Sequence, residues 1–292
     1  MTLIDFLLAP FVACILLIAI NVYFGIHVLK REIIFIDIAL AQIAAFGTTI
    51  ATVIHHMFHI ANTHGHEHAD DTIMAYLLSL AFILISALVF SFLKNRRISI
   101  PLEAIIGISY AFATTAAVIL LDKAAGSDVH IHDMLIGSIL WVSWHQVTKL
   151  GIVVVLVALF HFIFRKKFTQ LSDNYHKKEC RMEKALLWDF LFYLTFGIVI
   201  IEAVRISGIL TVFAFLILPA TFSVLFSKKW TTRIVIGLAL GILVSAASLY
   251  LSFNIDIPVA PLIIIGMGIS LLFAATYKRI VNRIKTPKTN QP

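Results

Sequence analysis

The sequence predicts an all-α polytopic membrane protein of about nine transmembrane helices plus one short re-entrant or half helix. Three observations predict it. Of the 292 residues, 60% are hydrophobic and only 13% are charged, with a mean hydropathy of +0.97. An average soluble domain carries about 25% charged residues, so this chain has no charged shell with which to hide its apolar surface in water. The apolar residues also fall in runs of helical length. A span needs about 20 of them, so nine spans use roughly 180. Finally, the sequence has no alternating ten-residue strands of the kind a closed membrane barrel requires.

The elements follow in order. The run at 6–29 has no Lys or Arg before Lys30, so it lacks the basic region of a signal peptide and reads as a retained span. Cys14 lies within it and Cys180 in a Lys-rich loop, which is no disulfide framework. Further spans run at 33–58, 73–94 and 101–121. The stretch MLIGSILWVSW at 134–144 is apolar but too short to cross, and a segment of that length reads as re-entrant. Five spans remain, at 147–165, 186–204, 208–226, 233–253 and 259–277. Together they make one transmembrane domain, 1–285, and the polar tail 286–292 has nothing to bury and reads as disordered.

Basic residues sort by loop. Lys30 and Arg31 follow the first span, Lys94, Arg96 and Arg97 the third, and Arg165 to Lys184 the fifth. Lys228, Lys229 and Arg233 follow the seventh, and Lys278 to Lys288 the ninth. These are alternate loops, and the opposite loops 59–72 and 122–133 hold only Lys123. The positive-inside rule then puts the C-terminus in the cytoplasm and the N-terminus outside. A net charge of +7 is explained by those loops and does not call for nucleic acid.

The outward loop 55–72 carries six of the twelve histidines: His55, His56, His59, His64, His66 and His68, with Glu67, Asp70 and Asp71. Neutral imidazole and carboxylate are ligands for zinc and other divalent metals, and this loop reads as a site of transient metal capture. The second outward loop adds His130 and His132. Within the bilayer, ionisable and polar groups are costly and default to function. In the second span, Gln42, Ala45, Thr49, Thr52, His56 and His59 share a sector of roughly 100° at helical spacing, a polar stripe leading to the His-rich loop. It lines either a path or a helix–helix contact. Asp37 lies off that stripe. Glu202 and Arg205, three apart, are expected to pair, and Asp189 is expected at the interface. No Gly-rich phosphate loop and no HExxH motif occurs, so the chain is expected to be no enzyme and to need no resident cofactor.

Several segments resemble the zinc/manganese branch of ABC-transporter integral-membrane permeases. They are GIHVLKREIIFIDIALAQIAAFG (25–47), EAIIGISYAFATTAAVILL (103–121), LIGSILWVS (135–143) and SGILTVFAFLILPATFSVL (207–225). The resemblance runs from about residue 20 to 277. It implies a type II ABC importer-like bundle and a permease for a divalent transition-metal ion, zinc or manganese, moved inward by alternating access. It also implies a bacterial cytoplasmic (inner) membrane location. The implied partners are a second copy of the permease, a cytosolic ATP-binding subunit, an extracytoplasmic metal-binding protein and the lipid bilayer.

Asp37, Gln42, Thr49, Glu103 and Pro219 would lie along the transport path, with Pro219 breaking its helix in mid-span. In the cytoplasmic loop 165–185, Phe168, Leu171 and Asp173 would dock the ATPase. The chain departs from the family where the second span usually reads DALxH: Ile38 and Gln42 stand at the Asp and His positions. That departure leaves open a permease for a metal chelate such as a siderophore, haem or cobalamin. A gradient-driven secondary metal transporter and a fluxless metal sensor are the remaining alternatives.

Overall fold

The computed structural model describes residues 3–59, 69–95, 100–122, 137, 139–175 and 184–285, with side chains over 6–54, 73–95, 100–120, 137, 139–175 and 184–281. These residues form nine α-helices and one 3-10 turn. They are α1 (Leu3–Arg31), α2 (Ile36–His59), α3 (Ala69–Asn95), α4 (Leu102–Asp122), the 3-10 turn (Ile139–Trp141), α5 (Trp144–Ile163), α6 (Arg165–Asp173), α7 (Ala185–Phe226), α8 (Trp230–Ile255) and α9 (Val259–Lys285). All but α6 are long and apolar enough to cross a membrane, as the all-α polytopic prediction requires. Most of the expected outward loops 59–72 and 122–133, namely residues 60–68 and 123–133, and the tail 286–292 lie outside the described residues.

The element ends are set locally. α1 closes on Lys30 and Arg31 in its last turn, where cations complement the helix dipole. Glu32 then turns left-handed at φ 54°, and the Ile33 amide reaches back to the Val28 carbonyl at 3.3 Å, the six-to-one bond of a Schellman stop. α5 starts from a capping box. Ser143 Oγ accepts from the Gln146 amide at 3.4 Å, and Gln146 Oε1 accepts from the Ser143 amide at 2.9 Å.

α7 contains the two expected spans, six and seven, joined without a loop. Its 42 residues form one element interrupted only at Gly208, with φ 74° and ψ 162°. Drawn straight it would be about 63 Å long, yet both halves reach the same level of α1. Phe192 and Phe196 pack on Phe24, with ring centroids 5.6 and 4.7 Å apart, while a Cβ on Gly25 would collide with the Leu216 carbonyl oxygen and Ala220. The helix therefore doubles back at Gly208 into limbs α7a (185–207) and α7b (208–226). Only glycine adopts those angles without strain. Nine crossings come from eight long helices, and an elbow of one residue replaces the expected loop.

The core sits around α7, which packs against α1, α2, α3, α5, α6, α8 and α9 and buries Phe192, Tyr193, Phe196, Phe215 and Leu216 completely. α4 touches mainly α2 and turns Ile108 and Phe112 outward, 66% and 71% exposed. Such apolar exposure suits lipid or another transmembrane chain. The bundle has two ends. One gathers the ends of α1 and α3, all of α6, the start of α7 and the α7–α8 turn. The other holds the α7 elbow, the 3-10 turn and the α8–α9 turn, with Phe6 5.6 Å from Trp141 and 6.2 Å from Phe253 by ring centroid.

Candidate functional site

The polar stripe of α2 runs from buried Gln42 and Thr49 past half-buried Ala45 to exposed Thr52, so it opens toward the C-terminal end of the helix. Thr49 and Thr52 donate to the Ala45 and Thr48 carbonyls of their own helix at 3.0 and 3.2 Å, a bond that lets a hydroxyl sit in an apolar span. The neighbouring face makes the tight helix contact. A Cβ on Gly47 would lie 2.9 Å from the Leu78 carbonyl oxygen, and the Thr48 and Ser79 hydroxyls meet at 2.8 Å. The close α2–α3 crossing thus uses Gly47 and Thr48 and not the stripe.

Asp37 is 2% exposed in the first turn of α2, and its Oδ1 has no hydrogen-bond partner among the described residues. A buried carboxylate oxygen without a donor is costly. Glu103 lies half-buried in the first turn of α4, at the Arg31 end and not in mid-membrane, where an acid complements the helix dipole. The backbones of His55, His56 and His59 form the last turns of α2, but their side chains, and the whole of His64, His66, His68, His130 and His132, lie outside the described residues. Among the described residues no three His, Cys, Asp or Glu side chains come together to hold an ion.

At the elbow end, two segments distant in sequence meet. Gly137, at φ 68°, lies so close to Ser207 and Gly208 that a Cβ there would strike their backbone. Beside this contact is a pocket of about 540 Å³ lined by Phe6, Gly137, Trp141, Ser252, Asp256 and Val259 among others. Pro219, expected to break its helix, is buried within continuous α7b. The break in helical angles falls instead at Gly208, where φ 74° suits only glycine. Among the described residues, Glu202 and Arg205 do not pair with each other as expected. Arg205 lies over the Tyr76 ring, 5.4 Å from its centroid.

The Arg31 end carries the densest chemistry. Asp189, expected at the interface, is completely buried, as is Arg31. Arg31 Nη1 donates to Asp189 Oδ1 at 3.1 Å, Lys94 donates to Asp189 Oδ2, and Asn95 Nδ2 reaches the same oxygen at 3.3 Å. The Arg31 guanidinium also lies 3.7 Å over the Phe192 ring. From the other side, Arg31 Nε donates to Ser172 Oγ at 2.9 Å, and Ser172 Oγ meets His27 Nδ1 at 2.7 Å. A guanidinium only donates, so the Ser172 hydroxyl accepts from Arg31, while the tautomer of His27 sets the direction of its bond to Ser172. Tyr175, beyond α6, lies close to this cluster. Burial pushes its phenol up to about 12 against the opposing pull of Arg31, so it stays neutral.

These contacts fix α6. Phe168 and Leu171, expected to dock a partner, are buried against the bundle. The Phe168 ring stacks on His161 at 4.1 Å, and His161 bonds Tyr23 at 3.1 Å and Thr195 at 2.8 Å. Asp173, exposed, pairs with Lys30 and accepts from Trp230 Nε1 at 3.4 Å. The free face of α6 consists of Arg165, Lys166, Lys167 and Gln170. The sequence reading missed Ser172, His27, His161 and the hub role of Arg31. Only the coincidence of buried polar residues in three distant helices marks them, and no single-segment motif carries that signal.

Known proteins are similar to this chain in sequence and architecture. Residues 3–278 match the model of the ABC 3 transport family. A "Probable metal transport system membrane protein" of Chlamydia muridarum is 25% identical over 190 residues, 65% of this chain and 64% of that protein. The chain thus matches just under two thirds of that relative's length. The "Manganese import system permease protein ScaB" of Streptococcus gordonii is 25% identical over 215 residues, 71% of this chain and 75% of the relative. Among solved structures, "PsaBC from Streptococcus pneumoniae in complex with Fab" superposes with a TM-score of 0.70 at 19% identity, covering 92% of this chain and 90% of that one; it shares the fold.

Proposed function

The chain belongs to the ABC 3 transport family, and from that premise we propose that it is the permease subunit of an ATP-driven importer of divalent transition-metal ions, manganese or zinc. The match over residues 3–278 carries this reading, and relatives named for metal transport and manganese import support it. ATP hydrolysis falls to a separate cytosolic subunit, an extracytoplasmic protein delivers the metal, and a second copy completes the path. The Arg31 end faces the cytoplasm, consistent with its excess of Lys and Arg, and the elbow and the end of α2 face outward. The basic face of α6, Arg165 to Lys167, takes the ATPase contact.

In this reading the α2 stripe lies along the path, with Gln42 and Thr49 as weak oxygen donors. The His-rich segment from His55 to His68, with His130 and His132, gathers the metal. A chelate permease is the second reading, favoured by Ile38 and Gln42 standing where the family's second span has Asp and His.

The test is uptake into cells expressing the permease with its ATPase and binding protein. Free manganese or zinc should enter in an ATP-dependent way, and a Gln42→Ala variant should take up several-fold less. Uptake that survives ATP depletion would overturn the ABC reading in favour of gradient-driven transport. Uptake of a chelated metal in preference to the free ion would replace the substrate.

A further inference from the structure

We infer that Arg31 and Ser172 form the rigid joint through which movement of α6 reaches the transmembrane helices. This rests on the permease reading above, because only a docked ATPase would drive α6. The connections around α6 are slight: it is nine residues long, begins without a side-chain cap and is separated from α5 by Phe164 alone. Phe168 and Leu171 seat it on the bundle, and four side-chain links fasten its far end to α1 and α8.

Ser172 is held by Arg31 at 2.9 Å and His27 at 2.7 Å, both on α1. Asp173 is held by Lys30 on α1 and Trp230 on α8. Arg31 passes the constraint onward through Asp189 to α7a, and Asp189 passes it to Lys94 at the end of α3. Since α7a leads without a loop to the Gly208 elbow, a shift of α6 is felt at the opposite end of the bundle. A fully buried ionic hub is an expensive way to fasten helices, and apolar packing of equal volume often does as well or better. Its directional bonds, in contrast, fix one register. Arg31 and Ser172 are thus positioning residues.

The experiment uses proteoliposomes containing the complete permease–ATPase complex together with its metal-delivering protein, with manganese(II) and zinc(II) as probes, and reads metal transported per ATP hydrolysed. Ser172→Ala removes the hydroxyl while leaving the Arg31–Asp189 pair in place, and Ser172→Thr restores a hydroxyl. In Ser172→Ala, metal per ATP should fall at least five-fold with little change in melting temperature, and Ser172→Thr should recover most of it. A ratio within two-fold of wild type in Ser172→Ala overturns the joint. So does a fall in uptake and hydrolysis in equal proportion alongside a lowered melting temperature, which marks a purely structural role. Wild-type vesicles that take up neither metal overturn the permease reading, and the joint with it.

Discussion

Asp189 is the residue on which the charged end of the bundle depends. It takes Arg31 on one oxygen and Lys94 and Asn95 on the other, with no exposed surface of its own. Removing one partner of a buried ion pair leaves an uncompensated charge and costs about 3–5 kcal/mol. Asp189→Ala strands two cations at once and should reach the upper part of that range, whereas Asp189→Asn keeps an acceptor and should lose less. Thermal unfolding of the detergent-solubilised permease, followed by size-exclusion chromatography, distinguishes them. An alanine variant that melts within a degree or two of wild type would show the hub to be solvated. In the sequence, Asp189 reads as interfacial because it stands near the start of an apolar run. The cations that bury it come from residues 31 and 94, and single-chain periodicity is blind to such pairings.

At the scale of elements, apolar runs of helical length disclosed every transmembrane helix, since burial in lipid imposes a length that loops cannot imitate. Two features escaped that logic. Glu202, Arg205 and Ser207 interrupt the apolar run and mark two spans, but only the angles of Gly208 show that they join without a loop. The inward set of α6 was equally hidden. Phe168 and Leu171 stand in a basic loop, and only the burial of both, with Phe168 packed on His161 and Trp188, shows that they anchor the helix while Arg165, Lys166 and Lys167 remain exposed. Charge on that face should govern partner binding and leave the fold alone, because exposed pairs contribute at most about 1 kcal/mol each to stability. Lys166→Glu combined with Lys167→Glu should weaken co-purification of the ATPase roughly ten-fold, with the melting temperature preserved. Full retention of the ATPase would move the docking contact off α6.

For the whole molecule, the parity of crossings decides which loops share a side. Were α7 a single crossing, the α7–α8 turn would face the side opposite α6, and the basic residues of the two would be divided by the bilayer. The elbow places Trp230 instead within 3.4 Å of Asp173 and Lys278 against the Leu225 carbonyl, so α6, the α7–α8 turn and the end of α9 lie together. Asp256, between α8 and α9, lies at the other end with Phe253 and Trp141. The prediction is a pattern of chemical labelling in a chain carrying Cys14→Ser and Cys180→Ser. Lys166→Cys, Lys228→Cys and Arg279→Cys should react with an impermeant maleimide from the same side of sealed vesicles, and Asp256→Cys from the other. With the Lys- and Arg-rich loops inside, the shared side is exposed in inverted vesicles. Labelling of Lys166→Cys and Lys228→Cys from opposite faces would require α7 to cross once. It would also break the Lys30–Asp173–Trp230 contact that binds α6 to the bundle, so the elbow and the coupling end stand or fall on the same measurement.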